Sequence, residues 1–397
     1  MKIAFLTAGG IAPCLSASIG GLIESYNSAF PDAELLGYLN GYKGLLTGQK
    51  ISIPDSVKKK TKIFDQYGGS PIGNSRVKLT NIENCVQKGY IKDGQVPLEV
   101  AAQQLIKDNV DILHTIGGDD TNTMAAELSF YLKENDYDLT VVGLPKTVDN
   151  DVYPISQTLG AYTAAEQGAI FFENLSNENT TSSRQLIIHE VMGRNCGWLT
   201  AQTAREYRQR LDSKEFLPEA LIERSRWDID AVYIPEIPLD FDNECERLLN
   251  LMNEKDCVNI FLSEGAGTET IVKELESEGQ KIQRDAFGHV ALDALNPGKW
   301  FAKQFTKKLL AEKTLVQKSG YFARSAAPNK KDLELIKLSC ELAVVSAKNR
   351  KSGVVGLDDS NDNKMGLIDF KRIKGGKPFD VNQKWFLSLL TEIGQKN

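Results

Sequence analysis

The chain has 397 residues, of which 41% are apolar and 25% are charged, and its formal net charge is −6. This length exceeds what one hydrophobic core usually organises, so it predicts a soluble protein of two ordinary domains. The negative charge argues against nucleic acid or an anionic membrane as a partner, because both attract basic surfaces.

Cysteine content and apolar patterning indicate a reducing compartment. The six cysteines include no Cys-x-x-Cys pair and are accompanied by only three histidines, so neither a zinc site nor a disulfide scaffold is indicated. No stretch approaches the ~20 apolar residues that a bilayer span requires. Residues 2–6 fit a first strand better than a signal peptide. We therefore expect a cytoplasmic protein with buried free thiols.

The chain begins with a strand, a glycine turn and a helix. Residues 3–7 have a buried-strand pattern, Gly9 and Gly10 follow, and residues 15–26 have a helical pattern. This order presents backbone N–H groups to a phosphate, although a plain turn explains the glycines equally well. A later glycine-rich segment ends in Arg76, which is either a surface residue or a bidentate phosphate ligand.

Two acid-rich loops dominate the first half of the chain. Strand patterns at residues 111–116 and 139–144 are followed by residues 117–121 and 145–151, and a helix capped by Thr121 or Asn122 follows the first loop. Open α/β sheets bind ligands at the carboxyl ends of their strands. The two loops are therefore expected to bring charged side chains to one sheet edge: Asp119, Asp120, Lys146, Asp149 and Asp151.

Taken singly, each of these acids fits a turn or a helix cap. Taken together they are unfavourable, because like charges ~4 Å apart repel by about 4 kcal/mol at an effective dielectric near 20. Mg²⁺ bound with a polyphosphate removes that repulsion, since Mg²⁺ prefers hard oxygen ligands. The pattern thus indicates a magnesium and phosphate site.

The second half repeats the strand-to-loop arrangement. Strand patterns at residues 185–191, 231–234 and 258–262 are followed by a helix at 269–281 and by an expected insertion at 287–305. A helix at 331–349, a last strand at 353–357 and a basic tail around Lys371 and Arg372 complete the chain. This alternation predicts doubly wound, mostly parallel sheets.

Phosphoryl transfer needs cations that contact the transferred phosphoryl group, a base for the acceptor hydroxyl and residues that bind the acceptor. Lys146 and Arg76 supply positive charge, and either Asp149 or Asp151 supplies a base. Arg194 and Arg324 follow a glycine at the ends of later segments and suit a second phosphorylated group. The residues therefore indicate a metal-dependent phosphotransferase acting on a phosphorylated metabolite.

Six motifs follow one another along the chain: Gly9-Gly10-x-Ala12-Pro13, Gly73-x-x-Arg76, Gly117-Gly118-Asp119, Thr147-x-Asp149-Asn150-Asp151, Met192-Gly193-Arg194 and Gly320-Tyr321-x-x-Arg324. In this order they resemble the motifs of the 6-phosphofructokinase family, and the resemblance runs from residue 3 to about residue 357. The resemblance implies that Asp149 takes the proton from a sugar 1-hydroxyl, with Thr147, Asp151 and Lys146 in support. It implies that Asp119 associates with Mg²⁺ and that Gly9, Gly10 and Arg76 contact the donor. The implied fructose 6-phosphate residues are Thr147, Asp149, Met192, Gly193, Arg194, Glu264, Tyr321 and Arg324.

Two positions bear on the phosphoryl donor. ATP-using members of the family usually have glycine where this chain has Asp120 and Lys146, and the pair seen here marks pyrophosphate-dependent members. The aspartate would occupy the space that the α-phosphate of ATP needs, and its negative charge would repel that phosphate. The lysine would bind a short inorganic donor. Tyr321, where ATP enzymes tend to have histidine, points the same way.

The resemblance implies two doubly wound Rossmann-like α/β domains with the active site in the cleft between them. We expect a donor domain of residues 1–160 plus 323–373 and a sugar-phosphate domain of residues 161–322 plus 374–397. The family is oligomeric, so a homodimer or homotetramer is expected. The expected reaction, in glycolysis or gluconeogenesis, is reversible phosphoryl transfer from pyrophosphate to fructose 6-phosphate.

Three alternatives stay open from sequence. The first is an ATP-dependent sugar-phosphate kinase, and the second is a pyrophosphate enzyme that prefers sedoheptulose 7-phosphate. The third is a non-catalytic regulatory subunit of the same fold, which would be expected to lack Asp119 or Asp149, whereas this chain has both.

Overall fold

The computed structural model describes residues 1–277, 279 and 295–396. The strands in this part of the chain are β1 (Lys2–Thr7), β2 (Glu34–Tyr38), β3 (Lys50–Ser52), β4 (Ile112–Gly117), β5 (Thr140–Pro145), β6 (Gln185–Val191), β7 (Ala231–Tyr233), β8 (Cys257–Ser263), β9 (Lys313–Lys318), β10 (Gly353–Asp358) and β11 (Lys364–Ile368). They fall into two compact units, Met1–Thr163 with Arg324–Lys377 and Ala164–Ala323 with Pro378–Asn397.

The α-helices of the same residues connect these strands. They are α1 (Leu15–Ala29), α2 (Tyr42–Thr47), α3 (Asp55–Lys58), α4 (Ile82–Gln87), α5 (Pro97–Lys107), α6 (Asp119–Glu134), α7 (Ala161–Leu175), α8 (Trp198–Asp212), α9 (Arg224–Trp227), α10 (Phe241–Lys255), α11 (Thr268–Ser277), α12 (Pro297–Lys308), α13 (Gly320–Arg324), α14 (Lys330–Lys348) and α15 (Lys384–Glu392). None of these described helices is both long and apolar enough to cross a membrane. All six cysteines are free and buried, as expected.

The first unit contains a seven-stranded sheet in the order β11-β10-β5-β4-β1-β2-β3. Strands β1, β4 and β5 pair in parallel, and every residue of β4 and β5 is buried. Near-continuous apolar strands of this kind form where helices cover both faces of a parallel sheet. The register pairs Gly117 with Pro145, so the two acid-rich loops leave the sheet side by side. The predicted α/β class is therefore confirmed.

The core of the first unit fixes the helix that follows β4. Leu113 of β4 and Val141 of β5 lie in one buried cluster with Met124, Ala125 and Leu128 of α6. This packing places the N-terminus of α6 directly at the strand ends.

The second unit contains four parallel strands in the order β7-β8-β6-β9. Strands β6 and β8 are buried along their whole length and pair residue for residue from Gln185 and Cys257. Phe301 and Phe305 of α12 stack on Tyr233 and cover one face of the sheet. The loops after β6 and β8 therefore also emerge side by side.

Helix α6 begins earlier than expected from the sequence. Its N-cap is Gly118, and Asp119 and Asp120 occupy its first turn. The expected caps, Thr121 and Asn122, are buried inside the helix, so that prediction was wrong. Carboxylates are favoured in a first turn because the helix dipole is positive there. The two acids are consequently held by a helix and not by a flexible loop.

Two expectations for the C-terminal half were also wrong. Residues 297–308 form α12, the crossover helix before β9, and β9 pairs in parallel with β6. The described part of the expected insertion thus belongs to the regular alternation, and residues 287–294 lie outside the described residues. Strand β10 is not the last, because β11 pairs antiparallel with it. A single 3-10 turn, Asp359–Asn361, joins the two strands.

Candidate active site

Lys146 is the buried cation at the strand ends of the first unit. It follows β5 directly, is 4% exposed, and its Nζ donates a hydrogen bond to the carbonyl oxygen of Gly10 at 2.6 Å. Gly9 has φ +89°, and a Cβ there would lie 3.1 Å from the same Nζ. The glycine pair is thus part of the lysine's surroundings and not an unrelated turn.

The surroundings of Lys146 make its ammonium group more acidic than that of an exposed lysine. Burial lowers the pKa of Lys146 to about 8, and the positive charge of Arg76 adds to this effect. The neighbouring carboxylates of Asp149 and Asp151 act in the opposite direction. Arg76 is exposed, and its Nη2 lies 3.5 Å from the position of a Cβ on Gly10. Two cations therefore flank the glycine turn.

The loop after Lys146 is closed by its own side chains. The backbone N–H of Asp149 donates to Thr147 Oγ1 at 3.1 Å. Asn150 has φ +56° and is buried, with Nδ2 donating to the Ser156 oxygen at 3.0 Å and Oδ1 accepting from the Thr158 N–H at 2.8 Å. An asparagine tolerates this left-handed conformation better than most residues. Asn150 therefore turns the chain so that two half-buried aspartates flank it.

Asp119 and Asp151 form the oxygen-rich side of the site. Burial raises the pKa of Asp151, and the negative charge of Asp119 raises it further. Both side chains are half-buried. Among the described residues there is no cluster of three or more Cys, His, Asp or Glu side chains suited to a metal ion. Two carboxylates nevertheless fit Mg²⁺, which often takes its remaining ligands from water and substrate phosphates.

Asp120 does not join this group. Its Oδ2 lies 2.5 Å from Lys78 Nζ, and the two side chains are 61% and 50% exposed. The strand register brings all four acids and Lys146 to one sheet edge, as expected, but the Asp120 carboxylate is paired with Lys78 there. Lys78 was missed in the sequence, although it stands two residues after Arg76, where an extended segment places side chains on one side.

The second unit joins the ends of β6 and β8 through Gly193 and Glu264. The Gly193 N–H donates to Glu264 Oε1 at 3.4 Å, and Ser263 Oγ donates to the Gly193 oxygen at 2.5 Å. Gly193 has φ +131°, and a Cβ there would lie 2.5 Å from the Cys196 oxygen. Only glycine fits this turn, which leaves the adjacent Arg194 exposed.

Glu264 lies in a group of alternating charges. Burial raises the pKa of Glu264, whereas the Gly193 N–H and the Arg194 charge lower it. Glu190 and Lys318, which sequence reasoning missed, form a pair at 2.6 Å in which Glu190 is almost fully buried. The carboxylate of Glu190 also accepts the Gly298 N–H at the start of α12, at 3.1 Å. Position was the one sequence feature that could have indicated Glu190 and Lys318, since each lies at the end of a strand.

Helix α13 carries the last predicted residues. A Cβ on Gly320 would lie 3.0 Å from Met192 Cγ, so the start of α13 packs against the loop after β6. Tyr321 is 79% exposed, and Arg324 is half-buried and belongs to the first unit. The structure thus groups Met192, Gly193, Arg194 and Glu264 with the start of α13, and it groups the donor residues in the first unit.

Comparison with known proteins agrees with these motifs. The phosphofructokinase family model matches residues 2–338. The chain is 58% identical to the pyrophosphate–fructose 6-phosphate 1-phosphotransferase of Methylomonas methanica, with 99% of this chain and 96% of that protein covered. It is 56% identical to the protein of the same name from Methylotuvimicrobium alcaliphilum, with the same coverage.

A solved structure agrees on the fold. The pyrophosphate-dependent phosphofructokinase of Nitrosospira multiformis matches with a TM-score of 0.72 and 17% identity, covering 100% of this chain and 92% of that one. At this identity the match supports the fold alone. Together, the family match and the extended identity show that the chain is a member of the phosphofructokinase family.

Proposed function

We propose that the protein transfers a phosphoryl group from pyrophosphate to the 1-hydroxyl of fructose 6-phosphate. The products are fructose 1,6-bisphosphate and phosphate, and the reaction is reversible because donor and product bonds are closer in energy than with ATP. The observation that carries the proposal is the buried Lys146 bound to Gly10, in a chain whose relatives at 56–58% identity bear this activity in their names.

Asp149 is the proposed general base. It accepts the proton of the 1-hydroxyl while the hydroxyl oxygen bonds to phosphorus and the bridging P–O bond of pyrophosphate breaks. The bond from its N–H to Thr147 Oγ1 and the turn at Asn150 support this role, because both fix the backbone that bears the carboxylate. Asp151, whose pKa is raised by burial, is the proposed supporting residue for Asp149 in the same loop.

Donor choice is assigned to Lys146 and Asp120. Lys146 is a buried cation of fixed position, which suits a compact donor with no nucleoside to bind. Asp120 places a carboxylate in the first turn of α6, where a longer polyphosphate would meet its charge. Lys78 holds that carboxylate through an ion pair. Gly9, Gly10 and Arg76 complete the proposed donor contacts.

Mg²⁺ is the proposed metal, held by Asp119 together with Asp151. When bound, it would neutralise negative charge on pyrophosphate. The proposed acceptor residues are Thr147, Asp149, Met192, Gly193, Arg194, Glu264, Tyr321 and Arg324. Arg194 and Arg324 suit the 6-phosphate because guanidinium binds phosphate in a bidentate fashion.

The wider assignments follow from the same reasoning. We assign the donor role to residues 1–160 plus 323–373, extended to Lys377 where the first compact unit ends, and the sugar-phosphate role to residues 161–322 plus 378–397. We also propose a homodimer or homotetramer and a cytoplasmic location. Six buried free cysteines support a reducing compartment.

A four-way rate assay tests the function. Purified protein is assayed with pyrophosphate or ATP as donor and with fructose 6-phosphate or sedoheptulose 7-phosphate as acceptor. We expect the highest kcat/KM for pyrophosphate with fructose 6-phosphate. Faster turnover of sedoheptulose 7-phosphate would reassign the acceptor, and no turnover with any pair would favour the regulatory-subunit alternative.

A further inference from the structure

Residues 373–377, Ile-Lys-Gly-Gly-Lys, follow β11 at the end of the first unit. They lie beyond residue 338, where the family match ends. The sequence offered no role for this basic segment. In the structure it lies directly against both acid-rich loops of the donor site.

The segment is joined to the loop after Asp151 by backbone hydrogen bonds. The Tyr153 N–H donates to the Lys374 oxygen at 2.7 Å, and the Lys374 N–H donates back to Tyr153 at 3.0 Å. The Lys377 N–H donates to the backbone carbonyl oxygen of Asp151 at 2.9 Å. These bonds fix the position of the Asp151 main chain.

The Lys377 side chain adds a second connection. Its Nζ donates to the Ile155 oxygen at 2.7 Å and pairs with Asp359 at 2.6 Å. Both Lys377 and Asp359 are largely shielded from solvent, at 22% and 29% exposure. The lysine therefore ties the Asp151 loop to the turn after β10.

Gly375 contacts the other loop. A Cβ built on Gly375 would lie 2.0 Å from Asp119 Oδ2 and 2.6 Å from its Cγ. A side chain of any size is therefore incompatible with the observed position of the Asp119 carboxylate. By contrast, the neighbouring Gly376 has φ +76° and nothing within 4 Å of its own Cβ position.

We propose that Lys374, Gly375 and Lys377 form a wall of the site for the divalent cation and pyrophosphate, with Gly375 as the positioning residue for Asp119. The proposal rests on the proposed function, because it takes Asp119 and Asp151 as the metal carboxylates. Lys377 is the positioning residue for the Asp151 loop. A functional part of the donor site thus lies beyond the residues that the family model matches, although relatives align with nearly the whole chain.

Gly375→Ala and Gly376→Ala form a matched pair for the test. The first displaces the Asp119 carboxylate, and the second strains a left-handed glycine without touching Asp119. Binding of magnesium pyrophosphate is measured by calorimetry on the full chain, together with the KM for each substrate and the melting temperature. We expect Gly375→Ala to weaken magnesium pyrophosphate binding by at least about tenfold, the scale for residues that orient metal ligands. The KM for fructose 6-phosphate should stay unchanged.

Gly376→Ala should lower the melting temperature and leave pyrophosphate binding unchanged. Wild-type binding by a folded Gly375→Ala protein would overturn the proposal, as would equal losses in both variants. If Gly375→Ala does not fold, Lys377→Met carries the test, and undiminished binding by that variant would overturn the proposal equally. An active wild type with unaffected variants contradicts only this inference, whereas a wild type inactive with pyrophosphate contradicts the proposed function.

Discussion

The ammonium group of Lys146 donates a hydrogen bond to the carbonyl oxygen of Gly10 at 2.6 Å. This bond joins the end of β5 to the turn after β1, two segments more than a hundred residues apart in the chain. The lysine and the glycine turn therefore form one preorganised feature. A donor bound there would meet a fixed positive charge and not a mobile surface cation.

The pH dependence of donor binding should follow Lys146. Because burial lowers the pKa of Lys146 to about 8, the cation is lost as pH rises through that value. We expect kcat/KM for pyrophosphate to fall above pH 8. In Lys146→Arg the side chain should keep its charge at this pH, so kcat/KM should not show this fall. The measurement is the pH profile of kcat/KM for each protein. The same fall in kcat/KM above pH 8 in Lys146→Arg would show that another group is responsible.

Acid should destabilise the first unit through His114. Burial lowers the pKa of His114 to about 4, with Tyr26 Oη 2.6 Å from Nε2. Between pH 6.5 and 4 the unfolded chain binds more protons than the folded chain, so the free energy of unfolding falls as pH falls. The loss from this group approaches about 3 kcal/mol near pH 4.

Urea unfolding of the wild type and His114→Gln across this pH range tests that expectation. The variant is less stable at pH 7, because it alters a buried hydrogen bond, but its stability should depend less steeply on pH. Parallel pH dependences of the two proteins would contradict the assignment.

Glu190 should matter for the sugar-phosphate side. Its buried carboxylate holds Lys318 and the N–H of Gly298, next to Glu264. Glu190→Gln should raise the KM for fructose 6-phosphate by roughly tenfold, on the scale seen when a partner that orients a site residue is lost. The pyrophosphate KM should not change. Glu178→Gln is the matched control, since the more exposed Glu178 pairs with Lys313 on the strand that carries Lys318. Equal effects of the two changes would argue against a role for Glu190.

Removing the charge of Asp149 should affect turnover more than binding. Asp149→Asn keeps the shape and the N–H bond to Thr147 but cannot accept the hydroxyl proton. We expect kcat to fall by at least ~10²-fold, the usual contribution of a general base. Steady-state rates with saturating substrates measure this effect. A variant with nearly normal kcat would show that the base lies elsewhere.

The sequence was informative where periodicity and strand order determine position. Buried runs predicted β4 and β5, and parallel pairing then brought their loops together, so the neighbourhood of Lys146, Asp149 and Asp151 was foreseeable. The start of α6 was not, because polar Thr121 and Asn122 look like caps although Gly118 performs that role. Local propensity does not show which of several adjacent polar residues the core will bury.

Contacts between residues distant in the chain were the other limit. Nothing in the local sequence pairs Lys78 with Asp120, or places Gly375 against Asp119. Strand β11 was missed because its glycine and lysine weaken a strand pattern, yet it forms by pairing with β10. Such features depend on which distant segments the fold brings together, and local sequence patterns do not reveal those contacts.

Donor choice is the central claim, and the ratio of kcat/KM for pyrophosphate to that for ATP tests it most directly. The ratio is measured with fructose 6-phosphate for the wild type and for a double variant, Asp120→Gly with Lys146→Gly. The predicted result is a ratio far above unity in the wild type and a much smaller ratio in the variant. A wild-type ratio below unity, or a ratio that the two substitutions leave unchanged, would contradict the account.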